Sequence, residues 1–395
     1  MNVRILLLAL GSFVIGTETF MIAGLLPEIA DAFQVSVSAA GQLVTVYSLV
    51  YAVGSPVLMT MTGRAERRRL LLSDRCCSSL RGMSSAAPGC RTGVTLAGRI
   101  IAAAAAGLFA PAASAAAAAL AAPDKRGRAL SAVIGGQTVS LILGVPAGTY
   151  LAIASDWTMP FLAVAAGSLL AAALVRWLFP VMPSPGAVPL KERLAYLGRP
   201  AILSALLTTL LWGIAIFSVY TYIADLYGGL GAEGEAISLV LLVGGIASFA
   251  GVSLGGYAAD RIGPAGTIAL ALSVLVVSLA AMSALHAAPG FGGLRGAALA
   301  AVALYGIGSY AFNPAQQHRL IGLSGPSAGI VLSLNASAIY LGSAGGAFLG
   351  GLVVKYGSAA MLGYFGGAWA LMALALFGLS RLSGAGVRSG QPADG

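Results

Sequence analysis

Long apolar runs, nearly free of charge, recur twelve times along this chain, at residues 5–26, 37–62, 70–90, 94–121, 129–152, 159–181, 201–223, 236–258, 264–286, 296–315, 327–354 and 359–380. Most exceed the ~20 residues a helix needs to cross a hydrocarbon core ~30 Å thick. Lipid offers no partner for a bare peptide group, so such runs must close their own hydrogen bonds as helices. Only 9% of the 395 residues are charged and mean hydropathy is +0.91, against ~25% charged in soluble domains. The expected fold is an all-α polytopic membrane protein with twelve transmembrane helices. No nucleophile–base pair, metal-ligand cluster or phosphate loop stands out, so the chain reads as no enzyme, with no cofactor and no metal.

Basic residues gather on alternate connections: Arg64 and Arg67 to Arg69, then Lys125, Arg126 and Arg128, then Lys191, Arg193 and Arg199, then Arg261 and Arg319. Arg4, Arg381 and Arg388 fall on the same side, whereas Asp31, Asp156, Asp225, Glu233 and Glu235 fall on the other. By the positive-inside bias both termini are expected in the cytoplasm. The net charge of +9 then has a membrane explanation and calls for no nucleic acid. The first run lacks a small-residue cleavage site, so it is expected to be a retained helix.

The longest connection holds Pro183, Pro185 and Pro189. It divides the chain into an amino-terminal six-helix bundle (1–181), a cytoplasmic central loop (182–200) and a carboxy-terminal bundle with a short tail (201–395). Weak internal similarity supports a duplication. Ile29-Ala30-Asp31 recurs as Ile223-Ala224-Asp225; Gly54 and Arg64 answer to Gly251 and Arg261; Leu130, Ser131, Gly144 and Gly148 answer to Leu332, Ser333, Gly346 and Gly350. The third run departs from the pattern. Residues 73–91 read SDRCCSSLRGMSSAAPGCR and carry all three cysteines of the chain. Nineteen Arg against three Lys, with much Ala and Gly, suggest a GC-rich gene. The expectation is a pair of compensating frameshifts around residues 73–91, the alternative being a real polar helix. The cysteines have neither CxxC nor Cys/His spacing, so no disulfide is assigned.

One acid breaks the first run. Glu18 lies about 20 Å along it at ~1.5 Å per residue, near the bilayer centre. An ionised, unpaired carboxylate there costs several kcal/mol, so it must be protonated, paired or next to water. A carboxyl that gains and loses a proton at that depth is what a proton-coupled carrier requires; a neutral Glu packed between helices is the alternative. Counted from the opposite face, Arg99 in the fourth run comes to much the same depth. An acid and a base at one level could exchange partners as a proton arrives.

The stretch Gly16-Thr17-Glu18-Thr19-Phe20-Met21, continuing AGLLPEIADAFQVSVSAAGQL, resembles the first helix of drug:proton antiporters in the major facilitator superfamily. The similarity is to the branch holding bacterial chloramphenicol-resistance and arabinose or sugar efflux proteins. In much of that branch the acid directly precedes the Phe; here Thr19 stands there and Glu18 comes one earlier, a turn of ~100° on a helix. Gly63 to Arg69 resembles the superfamily's loop 2–3 motif without its Asp. Its second copy, Gly256-Tyr257-Ala258-Ala259-Asp260-Arg261-Ile262-Gly263, keeps G-x-x-x-D-R-x-G. Arg99 matches the fourth-helix Arg, and Gly144-Val145-Pro146-Ala147-Gly148 resembles the fifth-helix motif of exporters.

The resemblance implies two pseudo-symmetric six-helix bundles and proton coupling through Glu18 and Arg99. It also implies a conformational latch at Arg64, Asp260 and Arg261, and an antiporter turn at Gly144, Pro146 and Gly148. A mostly apolar cavity needs a few polar groups, for which Thr17, Gln137, Thr138, Trp212, Tyr220, Asn313, Gln316, Asn335 and Tyr340 are the candidates. His318, beside Arg319, reads as a loop residue. The expected function is proton-coupled efflux of a small, partly hydrophobic compound such as chloramphenicol. The alternatives are efflux of sugars or nucleosides, or a non-transporting product. Protons, a small-molecule substrate and the lipid bilayer are the expected partners of a monomer in the bacterial cytoplasmic membrane.

Overall fold

The computed structural model describes residues 3–62, 92–122, 126–179, 189–287 and 295–388. Arg64 and the anomalous segment 73–91, with the third expected helix, lie outside the described residues. Within them the chain is almost wholly helical without a strand, and eleven helices are long and apolar enough to cross a membrane.

The first run becomes two helices, α1 (Val3–Phe20) and α2 (Ile22–Phe33), separated by a turn at Met21. The break has local causes. Thr17 and Thr19 donate their hydroxyls to the carbonyls of Phe13 and Ile15, at 2.9 and 2.8 Å, a bond that bends helices. Pro27 in α2 then lacks the amide that would continue the ladder. Ser36, accepting from the Ala39 amide, caps α3 (Val37–Met61); α4 follows at Thr92–Leu120. The fifth run is α5 (Arg126–Val139), a π turn (Ser140–Gly144) and α6 (Val145–Ala154). Pro146 has no N–H for the carbonyl four residues back, and the wide turn just before it absorbs that mismatch. The first half ends with α7 (Met159–Leu178).

After the short α8 (Leu190–Ala195), the second half opens with α9 (Pro200–Tyr220), a break at Thr221–Tyr222, and α10 (Ile223–Gly228). The interruption of the first run is thus repeated. Then come α11 (Glu235–Arg261), α12 (Gly263–Ala284), α13 (Arg295–Ser324), α14 (Ala328–Tyr356) and α15 (Leu362–Arg388). Two of these differ from the sequence reading. Helix α13 does not stop near residue 315 but runs on through Pro314, so His318 and Arg319 are helical residues, not loop ones. Neighbouring helices make a Pro tolerable inside a membrane helix. Only Ile262 separates α11 from α12, and the reversal puts Gly263 at φ +79°, a region open to glycine and costly for other residues.

Helix α1 packs on α5 and on α7, α3 lies on α4, α9 packs on α14 and α15, and α13 on α11 and α12. The halves meet along two seams: α3 against α14, and the π turn with α6 against α11. Small residues let the backbones touch there. A methyl group on Gly245 would collide with the Leu141 carbonyl and Ile142 across the second seam; within the second half, one on Gly346 would meet the backbone of α9.

Candidate functional site

A cavity of about 650 Å³ lies between the halves. Its walls come from α1 through α5 and from α9, α11, α13 and α14. Aromatic side chains dominate: Phe20, Tyr47, Tyr51, Trp212, Phe217, Tyr220, Tyr310 and Tyr340. Gln137, Thr138, Asn313, Gln317, Ser48 and Ser343 supply hydrogen-bonding groups. At the α2/α10 end an aromatic layer covers it: Phe20 stacks on Phe217 with centroids 6.4 Å apart and meets the edge of Tyr220 at 5.9 Å. Beyond that layer Ser38 donates to the Gly351 carbonyl (2.7 Å) and Tyr222 to that of Ala347 (2.8 Å). The cavity extends toward the opposite end, the one where α1 begins, along Ser131, Gly135 and Ala336.

Behind one wall sits a buried ion pair. Glu18 and Arg99 are each 2% exposed, with Nη1 of the arginine 3.9 Å from Oε1 of the acid. The pair is loose, beyond hydrogen-bond length. Arg99 is held from two other directions: Nε points at the Leu43 carbonyl (3.4 Å), and the guanidinium lies over the Tyr47 ring, 4.5 Å from its centroid. Tyr47 also exchanges a 2.9 Å hydrogen bond with Thr19. Tyr47 and Thr19 both line the cavity, so they form the partition between substrate space and charged pair. The one-residue offset noted in the sequence has a geometric result: Thr19 faces the cavity and Glu18 faces the arginine.

The expected cavity residues divide. Gln137, Thr138, Trp212, Tyr220, Asn313 and Tyr340 line it. Thr17, Gln316 and Asn335 are not among the lining residues, which corrects that expectation. Thr17 packs on Gly144, because ~100° of helix turn separates it from its neighbour Glu18. Gln316 donates to the Ala205 carbonyl (2.7 Å) and to the Thr209 hydroxyl (3.0 Å), which donates to Asn335 Oδ1 (2.8 Å). Buried polar groups need partners, and these find each other inside the α9–α13–α14 contact. Trp212 also donates to the Ser309 carbonyl (3.1 Å) and stacks on Phe312. Residues the sequence reading did not select include Thr19, Tyr47, Ser48, Tyr51 and Ser343. The signal for three was present: Tyr47, Ser48 and Tyr51 share one face of a mostly apolar helix. Tyr51 stacks on Tyr340 across the halves (3.6 Å), and Ser48 bonds Ser343 (2.9 Å).

Gly144, Pro146 and Gly148 surround the π turn. Gly144 packs on Thr17 and Gly148 on Met21, bringing this helix against α1, while Gly245 of α11 sits on its other side. At the proposed latch, Asp260 and Arg261 are both exposed, and Arg261 lies over the Tyr257 ring (5.2 Å). Among the described residues neither forms an ion pair. The glycine that brings the helices close is Gly255, against the Ala311 backbone; Gly256 of the motif touches nothing within 4 Å.

Comparison with known proteins gives consistent matches over most of the chain. The family model of the Major Facilitator Superfamily matches residues 8–318. A Bacillus subtilis protein described as the uncharacterised MFS-type transporter YbcL is 33% identical over 374 residues, covering 94% of each chain. A chloramphenicol resistance protein of Streptomyces lividans is 34% identical over 297 residues, 73% of this chain and 74% of that one. Among solved structures, a D-xylose-proton symporter superposes with TM-score 0.78 at 18% identity, covering 94% of this chain and 96% of the other.

Proposed function

The chain belongs to the major facilitator superfamily, a multi-pass membrane transporter with that family's twelve-helix fold and no enzyme, and from this premise we propose that it exports a small, partly apolar compound in exchange for protons. The observation that carries the reading is the buried pair Glu18–Arg99, set one side chain behind the wall of a large aromatic cavity. In the inward-facing state the cavity takes up substrate while Glu18 is ionised against Arg99. Rocking of the halves about the seams then exposes the cavity to the other side. Substrate leaves, Glu18 takes a proton, and Arg99 turns to Tyr47 and the Leu43 carbonyl, the two partners it already holds. Drug and proton must each lower the other's affinity, or the gradient does no work. Thr19 and Tyr47 are placed to transmit that coupling, since they touch both compartments.

The direction of export rests on the glycine–proline turn at Gly144, Pro146 and Gly148 and on the resistance protein among the relatives. Chloramphenicol is the first compound to test. The bacterial cell membrane, with both termini cytoplasmic, a bundle boundary across 182–200 and a monomeric carrier, completes the proposal. Labelled chloramphenicol should accumulate less in cells producing the protein, and an uncoupler should abolish the difference. Equal accumulation with and without the protein would refute drug export. A second reading, sugar efflux, is favoured by Gln137, Asn313 and Gln317 standing among aromatic faces; labelled arabinose in the same cells decides it.

A further inference from the structure

Near the end of α13, on the side of the bundle where α1 begins, Arg319 is held in an unusual way for a cation. Its Nη2 donates to Ser380 Oγ of α15 (2.9 Å) and its guanidinium covers the Phe377 ring (4.9 Å). Its other terminal nitrogen, Nη1, is buried without a hydrogen-bond partner. Arg381, exposed and next to Ser380, lies close enough to repel it. Among the described residues no carboxylate comes within ion-pair distance of either arginine; Asp260, the described acid of the second half at this end, is exposed and unpaired. Two like charges and an orphaned buried donor cost free energy unless an anion joins them.

We propose that the junction of α13 and α15 at Arg319 and Arg381 binds the phosphate of an anionic phospholipid. Arg319 stands five residues before the end of α13, about 7 Å below it at ~1.5 Å per residue, which is headgroup depth. Both helices qualify as membrane spans, so an acyl chain below the phosphate would run along apolar helix surface such as Leu371 and Leu379, both exposed. The phosphate accepts from Nη1 of Arg319 and pairs with Arg381, a geometry guanidinium groups favour. A free phosphate ion offers the same oxygens but no chain to lie along the helices.

The test uses the full-length protein purified in neutral detergent, with phosphatidylglycerol, phosphatidylcholine or inorganic phosphate added. Lipid retained per protein is counted by native mass spectrometry, and the unfolding midpoint is followed alongside. Phosphatidylglycerol should be retained and should raise the midpoint. Each basic residue near an anionic lipid contributes enough for about a fivefold change in affinity, so Arg381→Gln should weaken retention by about that factor. Arg319→Gln should weaken it further, and Arg319→Lys only partly restores it. Arg199→Gln, an exposed arginine elsewhere at this end, should leave retention unchanged. Because Arg381 is exposed, its variant folds even if Arg319→Gln does not. Equal loss in Arg199→Gln and Arg381→Gln would reduce the effect to general surface charge and overturn the site. A full midpoint shift with inorganic phosphate alone would overturn the lipid as its occupant.

Discussion

The two ends of this bundle are held by different physics. At the end where α2 and α10 lie, one apolar core runs through both halves: Met21, Leu25 and Leu26 share it with Val219, Tyr222 and Leu241. At the opposite end the shared core reaches only residues of the second half, such as Ala259 and Phe377, and other apolar residues form separate clusters, with Leu8, Ala113 and Val133 in one and Ile202, Leu320 and Val331 in the other. The closed end is joined by the α11 backbone meeting the π turn at Gly245, and by Ser38 donating to the Gly351 carbonyl. Around the cavity the halves touch through side chains, chiefly Tyr51 on Tyr340 and Ser48 on Ser343. Close-packed seams are bistable and do not deform gradually. The closed end therefore sets the conformation, while the cavity contacts tune it.

The largest effect should come from the closed seam. Gly245→Val inserts a branched side chain against Leu141 and Ile142. Overpacking costs about 1–3 kcal/mol, which shifts a two-state balance by about 5- to 150-fold. A cysteine placed at Ala23, in a background without the native cysteines, should become reactive to an impermeant thiol reagent from the α2/α10 side. Unchanged reactivity would mean that the glycine contact does not hold that end shut. A smaller effect is expected at the cavity. A double-mutant cycle with Tyr51→Ala and Tyr340→Ala, read by the same reactivity, should show coupling of about 0.5–1.5 kcal/mol; additive changes would show that the stack holds nothing.

The smallest effect belongs to Asp225, in α10 at the closed end. Burial raises its carboxyl above the ordinary range, so the fold prefers it protonated, and stability is lost as pH rises through the raised value. Asp225→Asn removes the ionisation cost. The variant should unfold at a higher temperature than the wild type at neutral pH, and the gap should close below about pH 4, where an ordinary carboxyl is already protonated. A gap independent of pH would assign the gain to packing.

How far these features could be read from the chain differs by kind. Helix count and rough limits follow from charge-free runs, because lipid leaves the backbone few options. The end of α13 is not legible in the chain because His318 and Arg319 look like loop residues, while tertiary packing carries the helix past Pro314. The level of Glu18 with Arg99 needs only the helical rise counted from opposite faces. Which way a side chain points is another matter. Thr17 and Thr19 are alike in composition, yet one packs on Gly144 and the other faces the cavity. Gln316 and Asn335 look like ligand groups, but a polar residue in a membrane helix can also be satisfied by another one. That choice depends on partners more than 100 residues away.

The central claim is that Glu18 takes up and releases the proton that drives export. The most direct measurement compares wild type with Glu18→Gln in proteoliposomes, for whichever substrate the cell assay identifies, under two conditions. Wild type should exchange labelled for unlabelled substrate and also pump it against a gradient when a pH difference is imposed. The variant should retain exchange and lose pumping altogether. Pumping by Glu18→Gln at the wild-type rate would contradict the account and move the coupling proton to another group.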